Sequence, residues 1–113
     1  MKKHLLFICS SNVDRSPAAE ALFEDNERCE AKSAGVGAFC DEDRKVTKEI
    51  VDWADVIFVM DERREQHKTA LLKQFPEAEA KDIRILNISN EFARHDPELE
   101  RRMKIALEGE GFL

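Results

Sequence analysis

The sequence predicts an α/β fold, a three-layer sandwich in which a four-stranded parallel sheet carries helices on both faces. HLLFIC (residues 4–9) and ADVIFVM (54–60) are short continuous apolar runs, the pattern of strands buried on both sides. Segments with helical spacing alternate with such runs along the chain, which is the order of a parallel sheet with right-handed crossovers. The length of 113 residues suits a single domain over 1–113, with room for one core and not for two.

In chain order, the first strand ends at Cys9 and five loop residues follow. Ser16-Pro17 then supplies an N-cap and a first-turn residue for a helix whose Ala18, Ala21 and Leu22 share a face. CEAKSAG (29–35) reads as a second strand and GVGAFCDEDRK (35–45) as an irregular surface loop. VTKEIVDWA (46–54) is a short helix feeding the ADVIFVM strand. Asp61 opens a helix to about residue 75, with His67, Ala70, Leu71, Gln74 and Phe75 at helical spacing and Pro76 as its break. IRILNIS (83–89) is the fourth strand. Asp96-Pro97 starts the last helix, whose Leu99, Met103, Ala106 and Leu107 face one way until Gly109.

Composition narrows the function. Hydrophobic residues make up 42% and charged residues 37%, an ordinary globular balance. No apolar run approaches the roughly 18 residues of a membrane span, and the amino-terminal run is too short for a signal peptide, so no membrane association and a cytoplasmic location are expected. The three cysteines, Cys9, Cys29 and Cys40, form no C-x-x-C pair, which disfavours a disulfide framework or a zinc site. A formal charge of −6 opposes nucleic acid as a partner and requires any phosphate site to rely on local donors.

Such donors are expected on one loop. Residues 10–14 join the end of a buried strand to a helix start, where backbone N–H groups converge and the helix dipole adds positive potential. Arg15 adds fork-like donors suited to phosphate oxygens, and the same field favours the thiolate of Cys9. A thiolate beside a bound phosphate is a nucleophile beside its electrophile. Ser16 is placed to cap the helix and to donate its hydroxyl hydrogen to the sulfur, and Asn12 to hold the loop at positive φ. Ser10, Ser11, Asn12, Val13, Asp14, Arg15 and Ser16 are therefore the expected phosphate-binding residues.

CSSNVDRSP (9–17) resembles the phosphate loop of the low-molecular-weight protein tyrosine phosphatase family: Cys, five residues, Arg-Ser, with Asn third after the cysteine and Pro after the serine. SAG (33–35), VTKE (46–49) and ADVIFVMDE (54–62) resemble the family's middle portion in the same order. The resemblance implies Cys9 as the nucleophile of a phosphocysteine intermediate, Arg15 as the group holding the transferring phosphoryl, and Asp96 of HDPEL as general acid and then base, with no metal or organic cofactor. The implied partner is a phosphorylated protein or a small aryl phosphate.

Asp14 stands where many members of that family carry a second cysteine able to protect the nucleophile, leaving Cys29 or Cys40 as the alternatives for that role. The absence of tyrosine and the short stretch between SAG and VTKE depart from the family's phosphotyrosine pocket, whereas aliphatic Val13 is similar to the tyrosine-directed members rather than those acting on phosphoarginine. Among the other polar residues, Asp61 could cap its helix or help order the site, and His95 could influence Asp96. His4 and His67 are expected at the surface or an edge, and DERREQHK (61–68) as a solvated helix face. Phe39 could line the pocket mouth or pack elsewhere. Two other readings compete: a non-catalytic phosphoprotein-binding module, and an arsenate reductase on the same fold, which would need two further downstream cysteines.

Overall fold

The computed structural model describes residues 2–113. Strand β1 (Lys3–Cys9) lies between β2 (Cys29–Gly35) and β3 (Val56–Val59), and β4 (Asp82–Ile85) adds to the far side of β3, giving the order β2-β1-β3-β4. Every pairing is parallel. Successive side chains of a strand point to opposite faces, so the two apolar runs feed two cores. Leu5, Phe7, Cys9, Val56, Phe58 and Met60 enter one; Leu6, Ile8, Ile57 and Val59 enter the other.

Helix α1 (Arg15–Ala21) and helix α4 (Pro97–Gly109) close the first face, through Ala19 and through Leu99, Met103 and Leu107. Helices α2 (Lys48–Trp53) and α3 (His67–Gln74) close the second through Val51 and Leu71. The expected three-layer sandwich results. No helix among the described residues is long and apolar enough to cross a membrane.

Element ends differ from expectation for local reasons. The fourth strand ends at Ile85 because Asn87 adopts φ 59°, although Leu86 and Ile88 still donate their N–H groups to Val59 and Met60. Helix α2 begins only after Thr47, whose hydroxyl accepts the Ile50 N–H. Residues 61–66 depart furthest: they form a turn, not the start of a helix. Asp61 Oδ2 accepts the N–H groups of Arg64 and Glu65 at 2.9 and 2.6 Å, and Gln66 sits at φ 54°, so α3 starts only at His67. Asp61 thus caps the turn and not the helix. The 61–68 stretch is correspondingly no solvated helix face.

Candidate active site

Cys9 closes β1 with its side chain buried, and the chain then turns through Asn12, which adopts φ 55° as its residue type allows. The segment after β2 lies flat against this turn. Val36 donates its N–H to the Cys9 carbonyl at 3.0 Å and Gly37 to that of Ser10 at 2.8 Å. A Cβ on either Gly35 or Gly37 would stand 2.8 Å from the Ser10 oxygen, so both positions need glycine for this backbone approach. Among the described residues, no protein acceptor serves the backbone N–H groups of Ser10, Ser11, Asn12, Val13 or Asp14. Five donors on one turn, unmatched among the described residues, can serve the oxygens of an anion.

Cys9 Sγ and Ser16 Oγ are 2.9 Å apart, and Ser16 donates to Asn12 Oδ1 at 2.8 Å. Ser16 has one hydroxyl hydrogen. With a thiol, the S–H donates to Ser16 and Ser16 donates onward to Asn12; with a thiolate, the hydroxyl can turn to the sulfur. The expected capping role of Ser16 is not found, because α1 begins at Arg15 and its N-cap position falls to Asp14. Ser16 is buried inside the first turn, where it can reach the sulfur.

Arg15 is 4% exposed and is held from outside the loop. Its Nη1 and Nη2 donate to the two carboxylate oxygens of Glu65 at 2.6 and 2.7 Å, and Nη1 also donates to the Ile88 carbonyl at 2.8 Å. The two Glu65 bonds use one edge of the guanidinium, and Ile88 takes the outer Nη1 hydrogen. Among the described residues, Nε–H and the remaining Nη2 hydrogen, which form the adjacent edge, have no partner, and that pair matches two oxygens of a phosphate.

Glu65 is in turn tied to the loop. Ser10 donates its hydroxyl to Glu65 Oε1 at 3.0 Å, and Ser10 Oγ lies 2.9 Å from His67 Nε2. His67 Nδ1 accepts the Asp61 N–H, so a neutral ring carries its hydrogen on Nε2 and donates it to Ser10. Burial pushes the Glu65 carboxyl up, but the hydrogen bonds and charge of Arg15, with Ser10 and His67, outweigh it and leave it below the ordinary value. Burial likewise raises Asp61, and the N–H groups of Glu65 and Arg64 more than reverse the effect. For His67, burial drives the pKa down against the pull of the Glu65 charge.

Glu65 and His67 are the residues that sequence reasoning missed. His67 is 1% exposed, not the surface or edge residue expected. Helical spacing carried no trace of either role. The usable signal was topological: β1 and β3 are neighbours in the sheet, so the loops leaving their carboxyl ends must meet.

The loop and Glu65, with Asn90, line a cavity of about 240 Å³ that includes Cys9, Val13, Asp14 and Arg15. Asp96 does not line it. Its carboxylate accepts the Glu98 N–H at 2.9 Å, as the N-cap of α4, and it faces an adjoining cleft with His95, Ala18 and Leu22. Phe39 is 99% exposed and so neither lines the cavity nor packs. Cys29 pairs in register with Lys3 while Cys9 pairs with Gly35, which puts Cys29 at the opposite end of the strands, ~20 Å from Cys9. Cys40 instead lies against the loop, its thiol 3.5 Å from the Ser11 carbonyl, and burial with the neighbouring Cys9 charge pushes that thiol up. Among the described residues, no group of three or more His, Cys, Asp or Glu side chains could hold a metal ion.

Comparison with known proteins places this geometry. Residues 4–52 match the model of the low molecular weight phosphotyrosine protein phosphatase family. A protein-arginine-phosphatase of Geobacillus stearothermophilus is 32% identical over 103 residues, covering 72% of this chain and 68% of that protein. Among solved structures, the Vibrio vulnificus protein Wzb in complex with benzylphosphonate superposes with a TM-score of 0.68 at 18% identity, over 98% of this chain and 96% of that one. The tyrosine phosphatase Wzb of Escherichia coli K30 in complex with phosphate gives 0.65 at 23%, over 96% and 99%. These two share the fold. With the curated relative matched over more than two thirds of its length and the family model covering the anion-receptor turn, the chain belongs to the low molecular weight phosphotyrosine protein phosphatase family.

Proposed function

We propose that the protein is a cysteine-dependent phosphatase that hydrolyses aryl phosphates or phosphotyrosyl proteins through a phosphocysteine intermediate. The observation that carries this reading is the shared cavity: a sulfur within 2.9 Å of a hydroxyl, five unmatched N–H groups and a buried guanidinium with one edge free. A phosphate monoester fills it with oxygens on the N–H groups and on Nε and Nη2 of Arg15, which leaves phosphorus facing Cys9.

The Cys9 thiolate attacks phosphorus as the P–O bond to the leaving group breaks, and Asp96 gives its proton to the departing oxygen. Water then attacks the phosphocysteine. Asp96 takes the water's proton, the P–S bond breaks, and the Ser16 hydroxyl turns to the returning thiolate. Because Asp96 faces the adjoining cleft, this role requires residues 89–96 to close toward the cavity when substrate occupies it.

A second substrate class has a specific argument behind it. The Geobacillus relative is named a protein-arginine-phosphatase, and Asp14 puts on the cavity wall a carboxylate whose Oδ2 is uncommitted among the described residues, a counter-charge for a guanidinium leaving group. The test compares hydrolysis of an aryl phosphate and of a phosphoarginine peptide by the natural protein, Cys9→Ser and Asp96→Asn. Cys9→Ser should abolish turnover, and Asp96→Asn should slow aryl phosphate hydrolysis by about 10²- to 10⁴-fold. Vanadate or phosphate binding without any turnover would replace the enzyme with a phosphoprotein-binding module.

A further inference from the structure

Asp14 holds the N-cap position of α1, yet its carboxylate makes no capping bond. An aspartate there ordinarily accepts an N–H of the first turn, so the side chain forgoes a stabilising contact. It turns instead to another segment: Oδ1 accepts the backbone N–H of Arg94 at 2.9 Å. That bond has an unusual standing. The segment 89–95 joins the end of the sheet to α4 without regular structure, and its other hydrogen bonds stay local: Ser89 with Glu91, and Asp96 N–H with Ala93. Among the described residues, the Asp14 contact is the one hydrogen bond from 89–95 to a distant part of the chain. Phe92 adds packing against the core and lies under the Arg102 guanidinium, but packing on one ring leaves the backbone two residues later free to shift.

We propose that Asp14 is a positioning residue that anchors residues 89–95 to the phosphate loop and so sets where Asp96 stands relative to the cavity. The placement follows from connectivity. Asp14 lines the cavity and precedes Arg15, Arg94 and Asp96 line the adjoining cleft, and the bond crosses between the two. The same residue therefore reports on the loop that holds the phosphate and on the strap that carries the acid. It also accounts for a carboxylate beside an anion receptor: one oxygen is committed to the Arg94 N–H and turned toward the strap. The consequence for catalysis rests on the reading of Asp96 as the acid; the anchoring itself does not.

Two readouts separate these parts. The first is amide hydrogen exchange of residues 89–96 in the natural protein, Asp14→Ala and Asp14→Asn. Asn keeps an acceptor oxygen. Exchange at Arg94 should rise about tenfold or more in Asp14→Ala and stay close to natural in Asp14→Asn. The second is the dependence of kcat/KM, which reports the step that expels the leaving group, on leaving-group pKa across a series of substituted phenyl phosphates. Loss of a well-placed acid steepens that dependence, so Asp96→Asn and Asp14→Ala should both steepen it and Asp14→Asn should restore much of the shallow slope. Unchanged exchange in Asp14→Ala overturns the anchor. Faster exchange with an unchanged slope, where Asp96→Asn is steep, overturns the positioning role. If Asp96→Asn itself leaves the slope unchanged, the acid assignment fails and the link from anchor to catalysis falls with it, while exchange still decides the anchor.

Discussion

At the scale of single residues, the site is organised around the division of Arg15 into two edges. Glu65 holds one edge with both carboxylate oxygens, Ser10 donates to Glu65, and His67 in turn donates to Ser10. A guanidinium fixed in this way needs no rotamer search when phosphate arrives, so the entropy of alignment is met during folding. Glu65→Gln keeps the shape and removes the charge; it should lower kcat/KM for an aryl phosphate about 10- to 100-fold, with weaker vanadate inhibition. Tighter vanadate binding in Glu65→Gln would mean instead that the carboxylate competes with the phosphate for Arg15.

At the scale of elements, the phosphate loop owes its shape to a neighbour. The 35–37 segment hydrogen-bonds to the Cys9 and Ser10 carbonyls across a gap that admits no Cβ, and the Cys40 sulfur crowds the same Cβ position of Gly35. At Gly37 the obstacle is backbone, which cannot swing away. Gly37→Ala should therefore push the Ser10 peptide out of line and cut activity by about tenfold or more, while costing stability only ~1–3 kcal/mol, read from parallel kinetics and urea titrations. The elements themselves were largely legible. Apolar runs marked β1 and β3, and Ser-Pro and Asp-Pro marked the starts of α1 and α4. What stayed hidden was tertiary in origin. Gln66 takes a left-handed conformation that delays the start of α3, Asn87 takes one that ends β4, both against their local patterns, and Glu65 looks like any other charge in DERREQHK until β3 is laid beside β1. Asp96 was legible as a helix start, but no pattern of spacing could say which cleft it faces.

At the scale of the molecule, the site and stability share the same buried groups. His67 has its pKa lowered by burial, so the unfolded chain takes up a proton on it from about pH 6.5 downward while the folded chain resists until lower pH. Its contribution is complete above about pH 6.5 and drains away as pH falls. Protonation would also set a hydrogen on Nδ1 against the Asp61 N–H. Asp61 and Glu65 are held below their ordinary values, and their contribution is lost only below about pH 4. The urea midpoint should therefore drop between about pH 7.5 and 5.5, and His67→Gln should flatten that drop while leaving the acid limb below about pH 4 in place. An equal drop in His67→Gln would assign it to other groups.

The order of the sheet carries a consequence for how the molecule comes into being. β1 is flanked by strands from much later in the chain, Lys3 meeting Cys29 and Leu5 meeting Val56, and Val56 waits in turn for Asp82. None of these pairings is local, so each needs a long loop to close before any contact rewards it, which places the chain toward the slower end of small-domain folding. The proposed phosphate site takes its parts from the loop after β1, the turn after β3 and the strap beyond β4. It exists only once all three closures are complete, so a refolding population should recover its chemistry with its last kinetic phase, all at once and never in proportion to secondary structure.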